Sequence, residues 1–277
     1  MSTSQITYIT TCKGRLHHLK QSLPVVARQP DLKVIVVDYD CPDGTGEWVK
    51  ANFPSVEVVK VANAPFFQLS HARNVGAAAA STPWLAFFDA DVVVGDGFFN
   101  RISGILKPGI FFLPKSDSPN LWGSVILERE AFIKVGGYDE AIAHWGGEDI
   151  ALYNDLGFLG YRVVSYDAPD MRGIEHGDDE RVKFGSEKNL DRTKQLSHIY
   201  EIVRRDLTRL MGRVLDKQER KEVRARVTSA LDRLVADGRV AESITIDLPS
   251  IDFQRPTLGK RTPIVQRTLS CKVTFPK

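Results

Sequence analysis

The chain has 277 residues, 43% hydrophobic and 26% charged, the composition of one or two globular domains. Its 37 basic and 35 acidic residues leave a net charge of +2, so no broad positive field marks it for nucleic acid. No apolar run reaches the ~18 residues that a membrane span needs, and no basic start with an apolar stretch behind it suggests a secretory signal.

In chain order, Ile6–Thr10 is β-rich and predicts a first strand. Lys13-Gly14-Arg15 ends it, and Leu16, Leu19 and Leu23 then recur at helical spacing. Lys33–Asp38 is an apolar run ending in an acid, as in a strand covered on both faces. Turn chemistry over 39–46 follows, then a short helix at Glu47–Asn52 and a strand at Val56–Val61. Leu69–Ala80 is Ala-rich and helical, with Gly76 suited to close helix–sheet packing. Thr82-Pro83 stops it before the apolar strand Trp84–Phe88. Strands alternating with helices predict an α/β fold with a mainly parallel sheet.

From about Gly95 the pattern loosens. A strand at Leu121–Leu127, a helix at Arg129–Val135, a helix at Ile150–Leu159 and a strand at Tyr161–Tyr166 are expected, with Asp167–Lys188 as loop. Beyond residue 190, Val203, Leu207, Leu210, Met211 and Val214 form one amphipathic pattern. Val223, Val227, Ala230, Leu231 and Leu234 form another, with Asp216–Glu219 as a capping box between them. A proline-containing tail carries candidate strands at Ser243–Leu248 and Ile264–Leu269.

Parallel sheets gather ligands beyond the carboxyl ends of their strands. Asp38 and the pair Asp89 and Asp91 both follow such ends. Two carboxylates on a tight turn suit a hard cation, Mn²⁺ or Mg²⁺, that neutralises a diphosphate. Arg73, near a helix start, can reach phosphate or a carboxylate such as Asp38. Glu148-Asp149 follow Trp145-Gly146-Gly147. The glycines admit a substrate to the backbone, the indole offers a face to a sugar ring, and a helix start stabilises the acids. His176, in a polar loop, is a candidate Mn²⁺ ligand. The three cysteines, Cys12, Cys41 and Cys271, form no CxxC pair, and Cys12 and Cys41 are read as structural in a reduced, cytoplasmic protein.

In order, the segments TTCKGR, VIVVDYDCPDGT, SHARNVGAAAASTPWLAFFDADV and FIKVGGYDEAIAHWGGEDIALYNDL resemble nucleotide-sugar glycosyltransferases of the GT-A fold. The first three resemble the inverting family 2, the last the galactosyltransferase-type segment. The resemblance covers about residues 5–190 and implies a GT-A catalytic domain over 1–190; the helical hairpin and tail expected over 191–277 lie outside it. By resemblance, Thr10, Thr11, Arg15, Asp38 and Arg73 border the nucleotide, Asp38 contacting the uracil. Asp89, Asp91 and His176 hold the metal, with Asp91 the more direct ligand. Trp145, Gly147 and Glu148 face sugar and acceptor, and Asp149 is the base. One departure is that Tyr39 separates Asp38 from Asp40, where family 2 usually has adjacent acids.

The expected activity is thus inverting, metal-dependent transfer of a hexose or N-acetylhexosamine, with Gal or GalNAc favoured. The donor is a UDP-sugar and the acceptor a glycan or lipid-linked hydroxyl. The competing readings are a nucleotidyltransferase, for which TTCKGRLHH is a poor triphosphate loop, and a catalytically silent nucleotide-sugar-binding or assembly subunit. For the C-terminal helices the expectation is a solvated hairpin on the catalytic domain, with a homodimer contact or peripheral membrane docking as alternatives.

Overall fold

The computed structural model describes residues 5–116, 118, 121–236, 243–247, 251–253, 265–267 and 270–274. Strand β1 (Ile6–Cys12) is buried along its whole length. It runs between β2 (Leu32–Tyr39) and β4 (Trp84–Phe87), parallel to both. Beyond β2 lies β3 (Glu57–Val61), again parallel. Helices α1 (Leu16–Val26), α2 (Thr45–Asn52) and α3 (Leu69–Ala79) connect these strands. Both faces are covered, which explains the unbroken apolar runs. Ile6, Tyr8, Val34 and Val36 join Leu19 and Leu23 of α1 in one core, while Ile9, Ile35 and Val37 join Ala72 and Ala77 of α3 in the other. At Gly76 a Cβ would lie 2.5 Å from Ile9 Cγ2, so α3 sits on β1 at a distance that only glycine allows.

After β4 come β5 (Val92–Val93), α4 (Phe98–Ser103), β6 (Ile110–Lys115), β7 (Val125–Glu128), α5 (Arg129–Lys134), α6 (Glu148–Phe158), β8 (Arg162–Asp167), β9 (Arg172–Gly173) and α7 (Asp178–Val182). The sheet has seven strands in the order β3-β2-β1-β4-β7-β6-β8. Strand β7 is antiparallel to both neighbours, while β6 and β8 are parallel. The sheet is mainly parallel and lies between helices, as the alternation of strands and helices predicts.

Three expectations change here. The strand expected from Leu121 starts at Val125: residues 121–123 form a turn that leaves Trp122 exposed and brings Gly123 against Arg73. Strand β6 and helix α4 were not among the expected elements: α4 is short and lies between Gly95 and Gly104, and β6 carries Pro114 within it. The expected loop at 167–188 holds β9 and α7. Strand β9 pairs with β5, just after the DAD turn, and Ile174 N donates to Asp91 O at 2.7 Å.

Two compact units divide the chain, Met1–Leu190 and Asp191–Lys277. In the second, α8 (Leu190–Met211) and α9 (Lys217–Ala236) are antiparallel. Arg192 meets Asp232 at 2.6 Å, Arg224 donates to Leu196 O, and Tyr200 to Arg220 O. The capping box is formed: Asp216 Oδ1 accepts from Glu219 N at 2.9 Å and Glu219 Oε2 accepts from Asp216 N at 2.8 Å. Helix α8 ends before Val214, and Leu210 is exposed, so neither extends the buried stripe. Strands β10 (Ser243–Asp247) and β13 (Ser270–Thr274) pair antiparallel, as do β11 (Ile251–Phe253) and β12 (Val265–Arg267). No described helix is long and apolar enough to cross a membrane.

Candidate active site

The centre of the site is the side chain of Arg73, 2% exposed, on α3. Its Nη2 donates to Asp89 Oδ1 at 2.9 Å and its Nη1 to Asp149 Oδ1 at 2.6 Å, with Glu148 Oε1 at 3.5 Å. The Tyr138 ring lies 4.8 Å from the guanidinium carbon. One buried cation thus ties the DAD turn after β4 to the first two residues of α6. Gly146 and Gly147 deliver those acids from backbone at φ 92° and 100°, the left-handed region that disfavours other residues. Arg73 meets carboxylates, one class of partner expected for it, but these are Asp89, Asp149 and Glu148 and not Asp38.

Two residues not singled out from sequence complete this cluster. Gly123 faces it so closely that a Cβ would stand 3.0 Å from Arg73 Nη2, 3.2 Å from Asp89 Oδ2 and 3.3 Å from Asp149 Oδ2. Asn74 fastens the GGYDE segment to α3: Nδ2 donates to Tyr138 O and to Glu140 Oε1, and Oδ1 accepts from Tyr138 N, all at 2.9 Å. Its place beside Arg73 in HARN was the only signal in the sequence.

A second cluster adjoins the first. Asp91 Oδ2 lies 2.6 Å from His176 Nε2 and 3.4 Å from Arg15 Nη1. The β5–β9 pairing brings His176 there across 85 residues of sequence. Asp91 Oδ1 is buried without a hydrogen-bond partner among the described residues. An orphan carboxylate oxygen beside an imidazole fits a borderline-hard divalent cation. Asp89 is turned to Arg73, so the expected trio of metal ligands is assembled as a pair with the third acid held aside. A different trio, His17, His18 and Glu180, has its ligand atoms within 4.8 Å of one another. The ring of His18 is 5.5 Å from that of His176.

The remaining expected residues are placed as follows. Asp38 is buried, and its oxygens accept from Cys41 N and Gly46 N, both at 2.9 Å. Its carboxylate shapes the loop after β2. Thr10 is fully buried in β1, and Thr11 is nearly so. Lys13, missed from sequence, is buried where its Nζ donates to Asp40 O and Ala64 O at 2.8 Å, holding the loops after β1, β2 and β3 together. Trp145 is at the surface with the Arg181 guanidinium over its ring at 5.2 Å.

The electrostatics follow from burial. Desolvation, then the charge of Asp149, push the Glu148 carboxyl up to about 8. Asp149 is also raised by burial, against the pull of Arg73. Burial opposes the charge on Arg73 too, but Asp149, Asp89 and Glu148 outweigh it and hold the guanidinium protonated. Asp91 is buried, yet the His176 hydrogen bond and Arg15 bring it below the usual carboxylate range. The same bond raises His176.

Acidic residues are thus gathered beyond the carboxyl ends of the parallel strands, where open α/β sheets bind ligands. A family model described as "Glycosyl transferase family 2" matches residues 7–106, and one described as "N-terminal domain of galactosyltransferase" matches residues 111–177. Among solved structures, the mannosyltransferase PcManGT from Pyrobaculum calidifontis superposes with a TM-score of 0.53 at 15% identity, over 86% of this chain and 80% of that one. TarS of S. aureus gives a TM-score of 0.56 at 14% identity, over 84% of this chain and 44% of that one. Its 1–349 form in complex with UDP-GlcNAc gives 0.55 at 14% identity, over 84% and 73%. No curated protein sequence matches the chain. The chain thus has the fold of these glycosyltransferases, with a segment similar to family 2 over residues 7–106 followed by one similar to the N-terminal domain of galactosyltransferase over residues 111–177.

Proposed function

We propose that residues 1–190 form the catalytic domain of an inverting, metal-dependent hexosyltransferase. It moves Gal or GalNAc from a UDP-sugar to a hydroxyl of a glycan or glycolipid. The observation that carries this reading is the Arg73 bridge, which holds Asp89 on one terminal nitrogen of a guanidinium and Asp149 on the other. Asp149 is the base: Arg73 orients it through Oδ1, and its Oδ2 lies on the Gly123 side. Burial makes it more basic than a free carboxylate, which suits removal of a proton from an acceptor hydroxyl as that oxygen attacks the anomeric carbon. Glu148, largely neutral at pH 7, offers a hydrogen bond to the acceptor sugar without adding charge. Trp145 and Gly147 border that sugar, and Arg15 faces the diphosphate.

Asp91 and His176, with Asp89, would hold Mn²⁺ or Mg²⁺. Such a cation, when bound, neutralises the charge that develops on the departing diphosphate. PcManGT was solved with GDP-Man and Mn²⁺, and TarS with UDP-GlcNAc, which supports a nucleotide-sugar donor and a metal here.

The test is release of UDP from a panel of UDP-sugars with Mn²⁺, followed by NMR of the product's anomeric carbon. UDP release with inverted stereochemistry supports the reading. A retained anomer removes Asp149 as base, pyrophosphate release would mark a nucleotidyltransferase, and binding without turnover a silent module. Residues 191–277 are proposed as a non-catalytic appendage. Deleting 201–277 and measuring mass in solution tests whether it carries a homodimer contact.

A further inference from the structure

Cys12 and Cys41 lie 29 positions apart in sequence but meet at the carboxyl ends of two neighbouring strands. Cys12 closes β1 opposite Asp38 of β2. Asp38 in turn holds Cys41 N at 2.9 Å and draws the loop back over β1. The Thr45 hydroxyl bridges the two sulfurs, 3.2 Å from Cys12 Sγ and 3.1 Å from Cys41 Sγ. Gly14 N–H also points at Cys41 Sγ, at 3.1 Å. Hydrogen bonds donated to sulfur stabilise a thiolate. Cys12 is 1% exposed, whereas Cys41 is partly open to solvent. The arrangement pairs an accessible, hydrogen-bonded sulfur with a buried thiol behind it.

We propose that Cys41 is an oxidation site for hydroperoxides, with Cys12 as its resolving thiol. The Cys41 thiolate attacks the O–O bond and takes one oxygen as a sulfenic acid. The other oxygen leaves as alkoxide or hydroxide and picks up a proton from water. The Cys12 sulfur then attacks Cys41 Sγ, a disulfide forms, and the sulfenic oxygen departs as water with the Cys12 proton. The two sulfurs lose two electrons and the peroxide gains them; a dithiol reverses the change. The acidity of Cys41 agrees: hydrogen bonding with Cys12, against the effect of burial and aided by Thr45 and the N–H of Gly14, brings it down to about 6. Cys271, equally half-buried, is raised by its surroundings and serves as an internal control.

Iodoacetamide labelling of the full chain at pH 6, with peptide mass mapping, is expected to modify Cys41 roughly tenfold faster than Cys271. That figure is the larger thiolate fraction less the lower nucleophilicity of an acidic thiol. Hydrogen peroxide is expected to remove the mass of two hydrogens, to link the Cys12 and Cys41 peptides, and to be undone by dithiothreitol. In Cys12→Ser, dimedone should instead trap a sulfenic acid on Cys41. The wild-type readouts stand alone if that variant does not fold, and none depends on transferase activity. Labelling of Cys41 no faster than of Cys271, or peroxide-treated wild type with unlinked peptides, overturns the proposal.

Discussion

The stretch up to Gly95 and the stretch from there to residue 190 build one site by different means. The first alternates strand and helix around parallel β1, β2, β3 and β4, and its polar groups sit at strand ends. The second has an antiparallel strand, short helices and a β8 whose residues are mostly exposed. Its acids and histidine are positioned by individual side-chain and main-chain bonds back to the first stretch. Asn74 holds Tyr138, Asp91 O holds Ile174, and Arg73 holds Glu148 and Asp149. A parallel sheet edge offers a ready place for ligands, whereas chemistry brought from an irregular segment depends on a few strong local contacts.

The sharpest test of this division is Asp149→Asn, which keeps the shape of the second stretch but removes its proposed base. Turnover is expected to fall by about 10³-fold, within the range of general-base losses, while UDP affinity by calorimetry changes less than about twofold. Intact turnover would move the base elsewhere.

Arg73→Met breaks the connection itself. It leaves Asp89, Glu148 and Asp149 facing one another without a cation, at an expected cost of about 3–5 kcal/mol in urea unfolding. Arg73→Lys should recover only part of this, because an ammonium lacks the planar fork that reaches Asp89 and Asp149 together. A variant as stable as wild type would mean that the two stretches are held together without Arg73.

His176→Ala probes the other bridge. The Mn²⁺ concentration for half-maximal activity should rise roughly tenfold, with little change at saturating metal, since Asp91 keeps its orphan oxygen. An unchanged metal requirement would remove His176 from the ligand set.

The smallest change is Gly123→Ala. Its methyl would stand 3.0–3.3 Å from Arg73, Asp89 and Asp149, so these must give by a few tenths of an ångström. Turnover is expected to drop about tenfold, as small misplacements of catalytic groups do, with stability altered by less than about 1 kcal/mol. Wild-type turnover would show that the hub tolerates a shift of that size.

Much of the first stretch was legible because its signals are local. Continuous apolar runs such as KVIVVD and WLAFF mark doubly covered strands, and each ends at an acid whose place at the sheet edge follows from the parallel fold. Three of the four ordered segments that carry the resemblance to GT-A enzymes, TTCKGR, VIVVDYDCPDGT and SHARNVGAAAASTPWLAFFDADV, also lie in this stretch. The second stretch was less legible. Strand β6 follows Gly109 and contains Pro114, a residue that argues against a strand, and LWGSVIL reads as one apolar strand although its first half is a turn.

By itself, the sequence determined the α/β class, the helical capping box at Asp216–Glu219 and the set of charged residues available to a site. These depend on periodicity and on contacts a few residues apart. Only the tertiary structure decided the partnerships: Arg73 with three carboxylates and not with Asp38, Asp91 with His176, and Cys12 with Cys41. Each joins atoms distant in sequence. Which acid a buried guanidinium meets depends on helix position and loop path to within an ångström, because at low dielectric a charge must be paired where it lies.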